Sequence, residues 1–123
     1  MPAPDETKTL TDHAAVALSL LCIAHCLALP LLAVSLPFAA AAADAEWLHW
    51  TFAALAVVAS GSVVLTASSA RVPAFMVPAG LGAVLVVGGV FAEDFGLDET
   101  IPTVIGGVLL AAAHGRRIFS HAA

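Results

Sequence analysis

The chain alternates between long apolar stretches and short polar connections. Four windows contain no Asp, Glu, Lys or Arg: residues 14–43, 47–70, 72–92 and 100–115. A helix needs about 20 apolar residues to cross a hydrocarbon core roughly 30 Å thick. The first three windows are long enough, and the fourth is if it continues through Arg116 to Phe119. The pattern predicts four membrane-spanning helices, at about residues 14–36, 47–69, 73–92 and 101–119.

The connections between these spans are short, so successive helices should run antiparallel in one bundle. We expect an all-α membrane domain over residues 13–119, with tails at residues 1–12 and 120–123. Paired glycines such as Gly88 and Gly89 allow helices to approach closely in lipid. Such glycine-rich faces would also suit a homo-oligomer.

Composition and charge sharpen this prediction. Hydrophobic residues make up 61% of the chain and charged residues 11%, whereas soluble proteins are roughly half apolar and about a quarter charged. The four basic residues lie in the tails and the second connection, so the positive-inside tendency predicts that both termini are cytoplasmic. The basic residues are Lys8, Arg71, Arg116 and Arg117, and the other two connections carry Asp44, Glu46, Glu93, Asp94, Asp98 and Glu99.

These features exclude several functional classes. The spans leave no room for a separate catalytic domain, and the sequence has no nucleotide-binding, nucleophile-elbow or metalloprotease motif, so we do not expect an enzyme. A net charge of −5 with four basic residues argues against nucleic acid as a partner. The expected partner is the lipid bilayer.

The candidate chemistry is concentrated in the first span. Cys22 lies three residues before His25 and four before Cys26, spacings that share one helical face near the predicted middle of the span. Thiolate and imidazole are ligands for soft or borderline ions such as Hg(II) and Zn(II). Pro30 has no amide hydrogen to donate to the Cys26 carbonyl, which leaves that oxygen free for a donor, a water or an ion. We therefore predict a metal site here, with a transported ion and no organic cofactor.

Further candidate ligands lie near the span ends. Glu46 and His49 are three residues apart, and Glu93 and Asp94 follow the third span on the same side. Clustered acids raise the local concentration of cations, so these four residues could form a cation-collecting mouth, or simply solubilise the loops. On the opposite side, His114 could receive an ion. His13 and His121 are alternatives there, although a structural role is favoured for all three histidines.

Together with four short spans, the stretch from Cys22 to Pro30 resembles the MerC family of small membrane proteins. The resemblance extends from about Asp12 to Arg117. It implies a multi-pass protein of the bacterial inner membrane that takes up mercuric ion, with Cys22 and Cys26 as the transport site. It also implies a periplasmic or cytoplasmic metal carrier protein as a partner. The tail lacks the second cysteine pair of such carriers, and the added histidines suit Zn(II) better than Hg(II).

Two other functions remain open at this stage. A haem-binding or electron-transfer bundle could use His25, His49 or His114 as axial ligands, although His25 and His49 are expected at different depths. A non-transporting accessory subunit would use its cysteines only for packing.

Overall fold

The computed structural model describes residues 4–33 and 45–122. Four α-helices account for most of this part of the chain: α1 (Pro4–Ala33), α2 (Glu46–Thr66), α3 (Pro73–Ala92) and α4 (Thr100–Ala122). Short 3-10 turns at Ser68–Ala70 and Glu93–Phe95 follow α2 and α3. The prediction of an all-helical chain with four long helices is confirmed. The last residues of the first predicted span, 34–36, and Asp44 lie outside the described residues.

Local chemistry sets the helix boundaries. Pro73 occupies the first turn of α3, where its missing amide hydrogen would have no helical partner. Gly96 follows the second 3-10 turn with a φ of 70°, a left-handed conformation that glycine adopts without a steric penalty. The Asp98 side chain then accepts the backbone N–H of Thr100 at 2.8 Å and caps the start of α4.

Among the described residues, three helical stretches are long and apolar enough to cross a membrane: Thr9–Ala28, Glu46–Thr66 and Pro73–Phe95. The helix α4 does not meet this criterion, so a fourth span, like the side on which the termini lie, remains a prediction. Helix α1 begins at Pro4, so residues 4–12, expected as a tail, are helical and continuous with the first span.

Helix α4 holds the bundle together. It packs most extensively against α3 and α1, while α2 makes smaller contacts with α1 and α3. Gly82 and Gly106 allow the closest approach between α3 and α4, because a Cβ atom at Gly106 would lie 2.7 Å from the Gly82 carbonyl oxygen. The bundle is therefore a ring in which each helix contacts its sequence neighbours and α4 closes onto α1.

The surface of this bundle is apolar. Val58 and Val84 are each at least 66% exposed, although they lie well inside their helices, and Leu65 near the end of α2 is 76% exposed. Large apolar side chains that face outward along a helix are typical of contact with lipid. The interior, in contrast, contains several buried polar and charged side chains, and most of these lie in two groups.

Candidate metal site

Three potential metal ligands from two helices meet in the bundle interior. His25 and Cys26 come from α1 and His49 from α2, and one ligand atom of each lies within 4.8 Å of the others. The atoms His49 Nε2 and His25 Nδ1 are 3.0 Å apart, and the Cys26 sulfur lies within 4.8 Å of a ring nitrogen of each histidine. All three side chains are buried. The first-span residues therefore face the protein and not the lipid.

The spacing of these atoms is close to that of ligands around one ion. Two nitrogens bound at 2.0–2.1 Å in a tetrahedral site are roughly 3.3 Å apart, and a sulfur and a nitrogen are roughly 3.6 Å apart. The 3.0 Å separation of the two imidazole nitrogens needs only a small adjustment to reach that geometry. The three side chains could therefore hold a single cation.

Cys22 extends this group by one helical turn. Its buried thiol lies on the same face of α1 as Cys26. Helical geometry places Cys22 about 6 Å further along the axis of α1. The candidate site therefore offers two sulfur and two nitrogen atoms, with Cys22 slightly apart from the other three.

Glu99 completes the site, and the sequence analysis did not include it among the ligands. Its carboxylate accepts a hydrogen bond from His49 Nδ1 at 3.0 Å. In the neutral imidazole this bond leaves the lone pair on Nε2, the atom that faces His25 and Cys26. Burial raises the pKa of the Glu99 carboxyl above its ordinary value. The sequence did signal an acidic loop here, but nothing in it distinguished Glu99 from Glu93 or Asp94.

The site lies near one end of the bundle. We call this the acidic end: the starts of α2 and α4 and the connection 93–99. His49 is the fourth residue of α2, about 4.5 Å from its start, and Glu99 immediately precedes α4. Cys26, predicted near the middle of the first span, therefore lies next to a residue in the first turn of α2. The 3.0 Å between their ring nitrogens places His25 and His49 at the same depth, so the expectation that they lie at different depths was wrong.

The other acidic candidates lie outside this group. Glu46, Glu93 and Asp94 are exposed, and the Glu46 carboxylate accepts a hydrogen bond from Trp50 Nε1 at 3.2 Å instead of pairing with His49. They lie at the same end of the bundle, as expected of a charged mouth. The backbone of α1 continues through Pro30 to Ala33.

His114 lies at the opposite end. We call this the basic end: the start of α1, the connection 67–72 and the last turns of α4. There His114 bonds to Asp12, at a distance of 2.6 Å between Nδ1 and Oδ1. The structure therefore does not bring His114 to the other candidate ligands. The exposed His13 bonds to the Thr9 carbonyl, and the side chain of His121 lies outside the described residues.

Comparison with known families agrees with this geometry. The model of the MerC mercury resistance protein matches residues 12–118, nearly the whole chain. The chain belongs to the MerC family. Comparison with curated proteins and with solved structures returned no match. The resemblance inferred from Cys22, Cys26 and the predicted spans is thereby confirmed.

Membership of the MerC family and the three apolar helices identify a membrane protein. The family is associated with mercury-related membrane transport and not with an enzymatic activity. Within this MerC protein, the buried group around Cys26 is the part of the described structure best suited to bind a cation.

Proposed function

We propose that this MerC protein carries a soft or borderline metal cation across the membrane, with Cys22, His25, Cys26 and His49 as its ligands. One observation carries the proposal: His25, Cys26 and His49 converge on one buried point although they come from separate helices. Core packing alone would not require two imidazole nitrogens and a thiol sulfur to converge on the same place.

The physical reason for such a site is charge cancellation. A divalent ion is strongly disfavoured in hydrocarbon, but an ion bound to two thiolates is formally neutral. Thiols must lose protons to bind, so metal binding releases protons and its affinity increases with pH. The two cysteines supply both negative charges, while His25 and His49 add neutral ligands.

The ligand set is compatible with two types of cargo. Hg(II), which the family resemblance favours, is satisfied by two sulfurs in line, and the contact between Cys22 and Cys26 provides such a pair. Zn(II) prefers four tetrahedral ligands, which the two histidines would complete. We propose uptake across the bacterial inner membrane, with the exposed acids Glu46, Glu93 and Asp94 concentrating cations outside.

The decisive experiment compares metal accumulation in cells with and without the protein, for Hg, Zn, Cd, Cu and Fe. Replacing both cysteines, Cys22→Ser with Cys26→Ser, should abolish accumulation of the transported ion. Ser62→Ala is a matched control, because Ser62 bonds only to the Ala59 carbonyl and lies outside the site. Normal accumulation by the double variant, at an equal amount of membrane-inserted protein, would refute the proposal.

The haem alternative has a separate test. The 3.0 Å between the His25 and His49 nitrogens leaves no room for an iron between them as opposed axial ligands, which counts against this alternative. A purified preparation without a Soret band would exclude it. A preparation without thiol-dependent affinity for any soft ion would instead favour an accessory subunit.

A further inference from the structure

A second buried polar group lies at the basic end, and metal transport does not account for it. Asp12 and His114 are both 0% exposed, and Arg117 is 6% exposed. Asp12 accepts hydrogen bonds from His114 Nδ1 at 2.6 Å and from Arg117 Nε at 3.0 Å. The hydroxyl of Ser60 on α2 lies 3.1 Å from His114 Nε2. This chain of contacts joins α1, α2 and α4.

Every element around His114 contributes to its surroundings. The ring of Phe75, on α3, packs edge-on against the imidazole at 5.1 Å, and the Arg117 guanidinium lies over the same ring. Arg117 Nη1 also donates to Ser69 Oγ at 3.1 Å, in the turn after α2. The charged groups that face His114 are therefore Asp12 and Arg117.

A group that served only to hold the helices together would not need ionisable residues such as Asp12, His114 and Arg117. Burying ions is costly even when they are paired, and apolar side chains of similar size usually serve as well. Arg117 Nη2 is buried without a hydrogen-bond partner among the described residues, which adds to that cost. Ionisable groups inside membrane proteins are, in general, retained for a function.

The hydrogen-bond pattern shows which atom can change its protonation state. With Asp12 ionised, His114 Nδ1 carries a hydrogen and donates it to the carboxylate. In the neutral imidazole, Nε2 then has a lone pair and accepts the Ser60 hydroxyl hydrogen. A carboxylate at one imidazole nitrogen and a rotatable hydroxyl at the other can accommodate both the neutral ring and the imidazolium.

We propose that Asp12, His114 and Ser60 form a proton-binding site inside the bundle, with His114 Nε2 as the atom that takes up the proton. On binding, the added proton forms Nε2–H, and the Ser60 hydroxyl rotates from donor to acceptor. Nδ1–H remains bonded to Asp12. The group changes from a neutral total, with Asp12 negative and Arg117 positive, to one net positive charge.

Protons have a route to this site from the basic end. A cavity of about 150 Å³, lined by Ser69, Arg116, Arg117 and Ser120 among others, lies beside Phe75. Both Phe75 and Arg117 line this cavity and also adjoin the His114 group. The cavity has room for several water molecules, since one needs only about 10–15 Å³ of such space.

One consequence rests on the proposed transport function. Helices α1 and α2 carry residues of both groups, so a positive charge gained at His114 would oppose a cation held at the acidic end. Any such coupling is reciprocal: if the metal weakens proton binding by some factor, the proton weakens metal binding by the same factor. Proton binding itself needs no metal and can be measured separately.

The test is ¹⁵N NMR of the histidine side chains of the full chain in lipid nanodiscs, without metal. His114→Gln assigns the His114 signals by their disappearance. As the pH is lowered, we expect His114 to change from a ring with one N–H to a doubly protonated ring. Asp12→Asn keeps an acceptor but removes the negative charge, so the protonated fraction at a fixed pH should fall about tenfold or more.

Matched controls separate this site from the rest of the bundle. Ser60→Ala should still form the imidazolium, while Ser62→Ala, outside the group, should leave the wild-type behaviour unchanged. If Asp12→Asn does not fold, the wild-type titration tests the proposal by itself, through whether His114 becomes doubly protonated. A His114 ring that stays neutral over the whole pH range, or that titrates identically in a folded Asp12→Asn variant, would overturn the proposal. Loss of metal transport would not contradict the proposed proton-binding site, because proton binding is measured without metal.

Discussion

The two ends of the bundle use similar residues in opposite ways. At the acidic end, His25, Cys26 and His49 direct donor atoms to one point, and Glu99 orients one of them. At the basic end, Asp12 is already occupied by Arg117 and His114. A cation there would compete with a fixed guanidinium, whereas at the acidic end it would meet neutral or ionisable ligands. Histidine is therefore a candidate ligand where its neighbours are other potential ligands, and not where a carboxylate and a guanidinium already pair beside it.

The largest effect should come from breaking the basic end. Asp12→Ala removes the acceptor of both Arg117 and His114, and a buried ion pair that loses one partner costs about 3–5 kcal/mol. Chemical denaturation in micelles would measure this loss. A double variant, Asp12→Ala with Arg117→Met, should lose less stability because no unpaired charge remains. An equal loss in both variants would contradict our account of the basic end.

The second-largest loss of stability is expected at the contact between α3 and α4, which fixes the axial offset of these two helices. A Cβ atom at Gly106 would lie 2.7 Å from the Gly82 carbonyl oxygen and 2.8 Å from Val86, so Gly106→Ala should destabilise the bundle by about 1–3 kcal/mol. Gly88→Ala is the matched control, because nothing lies within 4 Å of its added Cβ. Similar thermal unfolding midpoints for the two variants would show that this contact does not fix the axial offset of α3 and α4.

A smaller effect is expected at the acidic end. Glu99→Gln removes the charge that holds His49, and loss of such an orienting partner typically weakens metal binding by about tenfold or more. Glu93→Gln changes the net charge equally at the same end, but Glu93 is exposed. Competition titration of the purified protein with Zn(II) and Cd(II) would compare them. Equal losses of affinity would indicate a general charge effect and not a role for Glu99 in orienting His49.

The smallest loss of stability is expected from removing Asp98, which caps the start of α4. The Thr100 backbone N–H holds the pKa of Asp98 below its ordinary value, so the carboxylate stabilises the folded state at neutral pH. That contribution decreases as pH falls below about 4, where the carboxyl becomes protonated. Asp98→Ala should therefore lower the thermal midpoint slightly at pH 7, and the difference should shrink in acid. A difference that grows in acid would contradict this assignment.

The axial position of the site shows where prediction from sequence stopped. The charge-free windows located four helices, but they could not reveal that helix α1 begins at Pro4 or which residues of the other helices lie level with Cys26. A shift of a few residues moves a side chain by several ångströms along the helix axis. The sequence placed Cys26 near the middle of its span, while the structure places it next to His49, near the start of α2.

The sequence by itself determined the helices and the shared face of Cys22, His25 and Cys26, because hydropathy and helical spacing act between residues close in the chain. Only the tertiary structure decided which residues from other helices join them. It selected Glu99 over its exposed neighbours Glu93 and Asp94, and it paired His114 with Asp12 instead of with the cysteines. These choices depend on the relative axial offset and rotation of packed helices. Contacts such as Gly82 with Gly106 set that offset, and no local pattern encodes it.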